Sequence, residues 1–231
     1  MLTTLASVAL LVLPVAVACS AAAPARTAEA PAAPAAAPAA AAPAAACGVP
    51  RGVRAAQVLV VQGSGTAARV TACARTASGG YVRALGPYRG HVGRAGVAPA
   101  GAKREGDGRT PRGTFALRGG FGTAAAPGTA LHWMRVTARD VWVDDPRSRL
   151  YNTHQVLPAR GRWRSAERLR IAAYEYAQVI GYNEARRPGL GSAIFLHVDT
   201  GRPTAGCVSL PRSALLRVLR WQRPGAVVVI R

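Results

Sequence analysis

The stretch that most constrains the fold runs from Ile194 to Pro211 and reads IFLHVDTGRPTAGCVSLP. Its first part alternates apolar and less apolar residues, which predicts a β-strand that carries His197 on its more polar face. After the turn at residues 201–203, a second apolar run begins at Cys207. The turn can therefore return the chain so that an imidazole and a thiol lie side by side.

A thiol beside an imidazole is the minimum requirement for a cysteine nucleophile, because the imidazole can take the thiol proton. The small residues Ala205 and Gly206 leave space for a carbonyl substrate before Cys207. The backbone N–H groups of Gly206 and Cys207 are then predicted to form an oxyanion hole. The alternative is a core cysteine and a strand-end histidine with only structural roles. One Cys and one His do not decide between these interpretations.

A second motif lies earlier in the chain, where residues 105–115 read EGDGRTPRGTF. Together the two motifs resemble the L,D-transpeptidase (YkuD-like) family, in which a Thr-Pro-x-Gly-x-Phe segment comes first and a strand histidine then precedes a Ser/Thr-x-Gly-Cys element. The resemblance covers about residues 57–231. This chain departs from the family pattern at Ala205, where His is usual, and at Ser209, where Arg or Asn is usual.

The resemblance implies a mainly β, YkuD-like sandwich or barrel and a cysteine acyltransferase that acts on peptidoglycan without a cofactor. Cys207 would attack the third carbonyl of a donor tetrapeptide stem, and His197 would protonate the departing D-Ala. An amine from a second stem would then resolve the thioester. Water as the acceptor would make the protein an L,D-carboxypeptidase instead. The departures at Ala205 and Ser209 keep a non-catalytic wall-binding domain as a further alternative.

Strand-like alternation between Gly/Pro-rich turns continues through most of the chain, which predicts a mainly β domain. An apolar repeat at helical spacing predicts one amphipathic helix from Ser165 to Gly181, with Glu167 near its positive end. A second, short helix is predicted at 212–219. The other predicted strands are Gln57–Val61, Arg69–Ala74, Tyr81–Leu85, Gly113–Leu117, Leu131–Val136, Val141–Val143 and Ala226–Ile230.

The remaining polar candidates each have a structural alternative. Asp199 would share a strand face with His197 and could orient the imidazole, although the resemblance implies a backbone carbonyl in that role and an Asp before Thr-Gly also starts turns. Thr204 either hydrogen-bonds near the thiol or shapes the turn. The polar residues 151–154 either line a cleft or form a loop. No metal site is predicted, because the sequence has neither C-x-x-C nor H-x-x-x-H spacing.

The four cysteines allow more than one disulfide pattern. If Cys19 is lipidated or Cys207 is catalytic, the natural pair is Cys47–Cys73. A bond from Cys207 to either of these two would instead make it structural. Cysteine spacing does not choose between these patterns.

The first fifty residues differ in kind from the rest. Met1–Ala18 is an apolar run that ends in Ala-Val-Ala, which predicts a signal peptide, and it is short for a membrane-spanning helix of about 20 residues. Cys19 follows directly and resembles the lipobox cysteine of bacterial lipoproteins, so lipidation and ordinary cleavage both stay open. Residues 19–50 are rich in Ala and Pro and are predicted to form a tether to a catalytic domain at 51–231.

The net charge is +20 at pH 7. The first fifty residues contribute none of it, because Arg26 and Glu29 cancel. A basic domain of this kind is expected to be attracted loosely to an anionic cell envelope. Nucleic acid is not predicted as a partner, because no basic run is interleaved with aromatic residues. The predicted partners are stem peptides, the anionic envelope and, through lipidated Cys19, the outer face of the membrane.

Overall fold

The structure is a computed structural model and describes residues 47–231. The predictions for the signal peptide, for Cys19 and for most of the tether lie outside these residues. The described residues form twelve strands, one α-helix and a 3-10 turn at Ala172–Tyr174. The strands are β1 (Gln57–Ser64), β2 (Ala67–Arg75), β3 (Tyr81–His91), β4 (Gly113–Gly122), β5 (Trp133–Arg135), β6 (Asp140–Val143), β7 (His154–Val156), β8 (Ala166–Arg168), β9 (Ala177–Ile180), β10 (Phe195–Val198), β11 (Val208–Leu210) and β12 (Val227–Ile230), and the helix is α1 (Arg212–Trp221).

Nine strands form one sheet that closes on itself. Their order is β12-β1-β2-β3-β11-β10-β9-β4-β5, and β12 also pairs with β4. Strand β12 closes the ring. It is parallel to β1, with Val58 opposite Val227, and antiparallel to β4, with Gly113 opposite Ile230. Because the sheet closes, each strand in the ring has a neighbouring strand on both sides. The ring therefore has no edge with unpaired backbone hydrogen-bonding groups. The predicted mainly β, barrel-like fold class is therefore confirmed.

The barrel core is filled by alternate strand residues and by the apolar face of α1. Strand β1 contributes Leu59 and Val61, β10 contributes Leu196, and α1 contributes Leu215 and Leu219, all of them buried. Each such side chain stabilises the fold by about 1.5–3 kcal/mol relative to an exposed position. The helix begins where the sequence predicts it. No helix within residues 47–231 has the length and hydropathy that a membrane span requires.

A disulfide closes the outer side of the barrel near β1. Cys47 and Cys73 are joined, with their Cα atoms 6.0 Å apart. The bond lies in a small apolar cluster with Val58 and Val60, the residues of β1 that face away from the barrel core. Among residues 47–231, Cys207 is the free cysteine.

A second, three-stranded sheet in the order β7-β6-β8 lies against β10. Trp142 of β6 packs edge-on against Phe195 of β10, with ring centroids 5.1 Å apart. Tyr174 of the 3-10 turn packs on the same ring at 5.5 Å. The small sheet therefore covers the face of β10 that points away from the barrel core.

The predicted amphipathic helix from Ser165 to Gly181 is wrong. The segment contains β8, the 3-10 turn and β9 instead. Its backbone finds partners outside the segment, because β8 pairs with β6 while β9 lies between β4 and β10. Leu169 and Tyr174 are still buried, so the apolar spacing reflects burial under the small sheet and not a helical period.

Candidate active site

His197 faces away from the barrel core on β10. Its neighbour Leu196 enters the core, whereas Phe195 and His197 lie on the opposite face, as the alternation predicts. The imidazole is 6% exposed, and its Nδ1 lies 2.8 Å from the carbonyl oxygen of Val198. Since a carbonyl only accepts, Nδ1 carries the proton and Nε2 is the basic nitrogen. Burial lowers the pKa of His197, so the imidazole is neutral at neutral pH.

Asp199 has other partners than His197. Its carboxylate lies 3.0 Å from Nδ1 of His91, and it accepts hydrogen bonds from Oγ of Ser209 at 3.2 Å and from the N–H of Gly201 at 3.0 Å. No hydrogen bond joins Asp199 to His197 within the described residues. The expectation that Asp199 orients the imidazole is thus corrected: Asp199 holds the ends of three neighbouring strands together, and a backbone carbonyl orients the ring.

Two threonine hydroxyls hold the backbone of Cys207. Thr110 Oγ1 donates to the Cys207 carbonyl at 3.1 Å and accepts from the N–H of Gly93 at 2.8 Å. Thr204 Oγ1 donates to the same carbonyl at 2.7 Å and accepts from the N–H of Gly206 at 3.1 Å. Thr110 belongs to the Thr-Pro motif, so this carbonyl joins the two motifs that the sequence separates. Sequence reasoning did not identify this contact.

Gly206 provides space rather than a free donor. A Cβ atom there would lie 3.0 Å from the carbonyl oxygen of Arg109 and 3.3 Å from Cδ1 of Ile194. Its N–H already donates to Thr204. Two N–H groups were predicted to form an oxyanion hole. The N–H of Cys207 is therefore the one that remains a candidate donor to the oxyanion.

The Cys207 thiol is buried and protonated. It donates to the carbonyl of Ala193 at 3.3 Å and accepts from the N–H of Phe195 at 3.3 Å. Burial, reinforced by the charge of the nearby Glu167, raises the pKa of Cys207 to about 12. No hydrogen bond links Sγ to His197 in the part of the chain that the structure describes. The resting site is thus a neutral thiol with a neutral imidazole.

Cys207 and His197 open into one cavity of about 340 Å³, a size that suits a short peptide segment. Thr204, Ala205 and Gly206 also line it. The ring of Tyr174 packs edge-on against His197, with ring centroids 5.4 Å apart. Tyr174 also lines this cavity, and its phenol opposes the rise in the pKa of the Cys207 thiol.

Three carboxylates in this cavity were missed by sequence reasoning: Glu105, Asp144 and Glu167. Glu167 was assigned to the start of a helix. In the structure it lies on β8 opposite Trp142, and its Oε1 accepts a hydrogen bond from the Tyr174 hydroxyl. The apolar spacing around Glu167 predicts a helix, so the sequence carried no signal that this residue lies on a strand beside the cavity.

The polar residues 151–154 support the site from outside. Asn152 Oδ1 accepts from Nε1 of Trp142 at 2.8 Å and from the N–H of Ala193 at 3.1 Å. Asn152 and His154 line a neighbouring cavity of about 570 Å³, so part of this cluster does face a cleft. Within residues 47–231, no group of three or more His, Cys, Asp or Glu side chains could hold a metal ion.

Comparison with known proteins identifies the family. Residues 75–230 match the family model described as the L,D-transpeptidase catalytic domain, YkuD. The match includes both motifs and every residue of the cavity that holds Cys207. Comparisons with curated proteins and with solved structures found no match. Since the family match covers more than half of the chain, the protein belongs to the L,D-transpeptidase (YkuD) catalytic domain family.

Proposed function

We propose that this protein is an exported peptidoglycan L,D-transpeptidase in which Cys207 is the nucleophile and His197 the general base. The observation that carries the proposal is that both groups line one cavity, while hydroxyls from both family motifs hold the Cys207 carbonyl. The family consists of cysteine-dependent acyltransferases that act on peptidoglycan stem peptides. A peptide donor with a free amine acceptor is therefore the substrate class that fits.

Acylation begins when the thiol loses its proton. His197 is neutral, and its Nε2 is the acceptor for this proton. As the S–C bond forms at the third carbonyl of the stem, the C–N bond to D-Ala breaks and the imidazolium protonates the leaving amine. The N–H of Cys207 is the candidate donor to the oxyanion. Because the thiol is buried at rest, substrate entry must replace its contacts with Ala193 and Phe195.

The second half-reaction transfers the acyl group from the thioester. An amine from a second stem gives a direct cross-link, and water gives the L,D-carboxypeptidase product. Both routes return Cys207 to the thiol and need no cofactor.

The cell envelope is the proposed location, since the family acts on the cell wall. Export by the signal peptide at 1–18 and a lipid on Cys19 are part of this proposal. The excess of positive charge in residues 51–231 supports loose retention by an anionic envelope.

Mass spectrometry of the intact protein after exposure to a carbapenem tests the proposal, because such a β-lactam acylates an activated nucleophile. We expect one adduct per chain and none in Cys207→Ala. In His197→Ala the adduct should form about 100-fold or more slowly, the usual effect of losing a general base. His132→Ala is the matched control, because His132 is exposed and lies outside this cavity. Its rate should equal that of the wild type.

A non-catalytic wall-binding domain is the second candidate. The raised pKa of Cys207 and the presence of Ala205 in place of the family's usual His favour it. It predicts no adduct even though Cys207 is reduced, and equal peptidoglycan binding by the wild type and Cys207→Ala in a pull-down assay.

A further inference from the structure

The cavity around Cys207 contains acidic groups that no side-chain cation neutralises. Glu105, Asp144 and Glu167 come from three separate segments and all line it. Oε2 of Glu105 accepts hydrogen bonds from the hydroxyls of Tyr151 and Ser192, which carry no charge. None of the three carboxylates forms a salt bridge within residues 47–231. This is notable in a chain with a net charge of +20.

The cations near the cavity are occupied or peripheral. The ammonium of Lys103 is 2.8 Å from Oδ1 of Asp107 and also donates to the carbonyl of Arg104. Arg94 and Arg202 line the cavity, but both are exposed to solvent. The interior therefore has unpaired negative charge close to the sulfur.

Asp144 adds a second unpaired carboxylate to this region. Its Oδ1 is fully buried and has no hydrogen-bond partner among the described residues. A buried carboxylate oxygen without a donor is costly, and a cation held in the adjoining cavity would offset part of that cost by Coulombic attraction.

Of the three carboxylates, Glu167 is the one that is hydrogen-bonded to Tyr174, whose ring packs against His197. The Tyr174 hydroxyl donates to its Oε1, and both side chains line the cavity that holds Cys207. Its Oε2 has no hydrogen-bond partner among the described residues and is free to bind a ligand.

From this arrangement we infer that Glu167 binds the ammonium group of the acyl acceptor and takes its proton, while the charge of Asp144 adds to the attraction for that cation. The cavity thereby favours resolution of the Cys207 thioester by amines over hydrolysis. This inference rests on the proposed function, because it concerns the second half-reaction at the same cysteine.

The protons balance in this step. The acceptor arrives as an ammonium ion and gives one proton to Glu167, which frees the nitrogen lone pair. The nitrogen attacks the thioester carbonyl, the C–N bond forms and the C–S bond breaks. The second nitrogen proton passes to Nε2 of His197, which is neutral after releasing D-Ala, and from there to the departing sulfur. Glu167 then releases its proton to solvent.

The acidity of Glu167 suits this role. Burial, with the charges of Asp144 and Glu105, raises the pKa of Glu167 to about 7. The carboxylate that the amine requires is therefore present above pH 7 and is lost as the pH falls below it. The other titratable or charged groups that line the same cavity are Arg94, Lys103, Tyr174, His197, Arg202 and Cys207.

The test is the partition of one acyl-enzyme between two acceptors. The full-length protein is given a tetrapeptide stem and a free D-amino acid. D-Ala release measures acylation, and the ratio of amide product to tripeptide product measures the partition. We expect Glu167→Gln to lower the ratio by about 100-fold, the effect of a lost general base. Its first turnover of D-Ala release should be no slower than in the wild type, because loss of the Glu167 charge makes the Cys207 thiol easier to deprotonate. In the wild type this ratio should rise with pH through an inflection near 7.

Glu105→Gln is the matched control, because it removes a charge from the same cavity but leaves Glu167 in place. It should keep a high ratio of amide to tripeptide product and move the inflection of this ratio to lower pH, since one neighbouring negative charge is gone.

A product ratio in Glu167→Gln equal to that of the wild type overturns the inference, as does an equal loss of D-Ala release and of amide product. If Glu167→Gln does not fold, a wild-type ratio that is flat between pH 5 and 9 overturns it as well. Failure of the wild type to release D-Ala or to form a carbapenem adduct would instead refute the proposed function.

Discussion

Thr110→Val isolates the contribution of one hydroxyl to the alignment of the nucleophile. Valine keeps the shape of the side chain and removes its oxygen. Thr110 is completely buried and bridges the N–H of Gly93 to the carbonyl of Cys207. The carbonyl keeps its hydrogen bond from Thr204, whereas the buried N–H of Gly93 has no second hydrogen bond among the described residues.

The expected cost follows from that asymmetry. A buried N–H left without a partner costs about 1–3 kcal/mol, so we expect the free energy of unfolding to fall by about 2 kcal/mol. In a domain of this size the melting temperature should then fall by about 4–8 °C. Carbapenem acylation of Cys207 should slow by about tenfold, because the backbone that positions the sulfur is less well held.

Thr204→Val is the matched control for this prediction. It removes a hydroxyl that donates to the same carbonyl and accepts from the N–H of Gly206, but Thr204 is partly exposed, so water can replace both contacts. Its cost should stay at about 0.5–1 kcal/mol. Urea denaturation gives the free energies, and intact mass spectrometry over time gives the acylation rates. Equal costs for the two variants, or an unchanged acylation rate in Thr110→Val, would refute the reasoning.

Three further predictions follow from single features of the structure. Replacing Cys47 and Cys73 together by Ser should lower the free energy of unfolding by about 3 kcal/mol, measured in urea, while the carbapenem adduct still forms. Gly206→Ala should cost about 1–3 kcal/mol and slow acylation, because its Cβ would meet the carbonyl of Arg109; wild-type stability and rate would contradict this. The raised pKa of the Cys207 thiol means that the folded protein holds this proton more tightly than the unfolded chain. Stability should therefore fall as the pH rises from 9 towards 12, and Cys207→Ala should reduce that fall in alkaline melting curves.

The pattern of apolar and polar residues correctly predicted the strands and the helix that have one apolar face and one polar face. The alternation in residues 194–198 gave the correct face for His197, and the apolar face of residues 212–219 gave α1. Strands β1 to β4 begin at or within two residues of their predicted starts. At such positions burial and local preference agree, so the sequence is sufficient.

The segment from Ser165 to Gly181 shows where local pattern fails. Its apolar residues recur at helical spacing, but their burial comes from strands that are distant in the sequence. The contacts of Glu167 and Asp199 could not be predicted for the same reason. The hydrogen-bond partners of each carboxylate depend on which strands become neighbours in the fold. The family resemblance pointed to the proposed nucleophile and base, but it gave no information on acids outside its motifs.

Strand β12 has a consequence for how the chain is made. It lies between β1 and β4, which belong to the early part of the described sequence. Until residues 227–230 have been synthesised, both of those strands have an unpaired edge, and such edges invite association with other chains. A growing chain therefore cannot complete its barrel ahead of β12. A stop codon shortly before Val227 should yield an aggregating or rapidly degraded product, even though every residue that lines the cavity of Cys207 would be present.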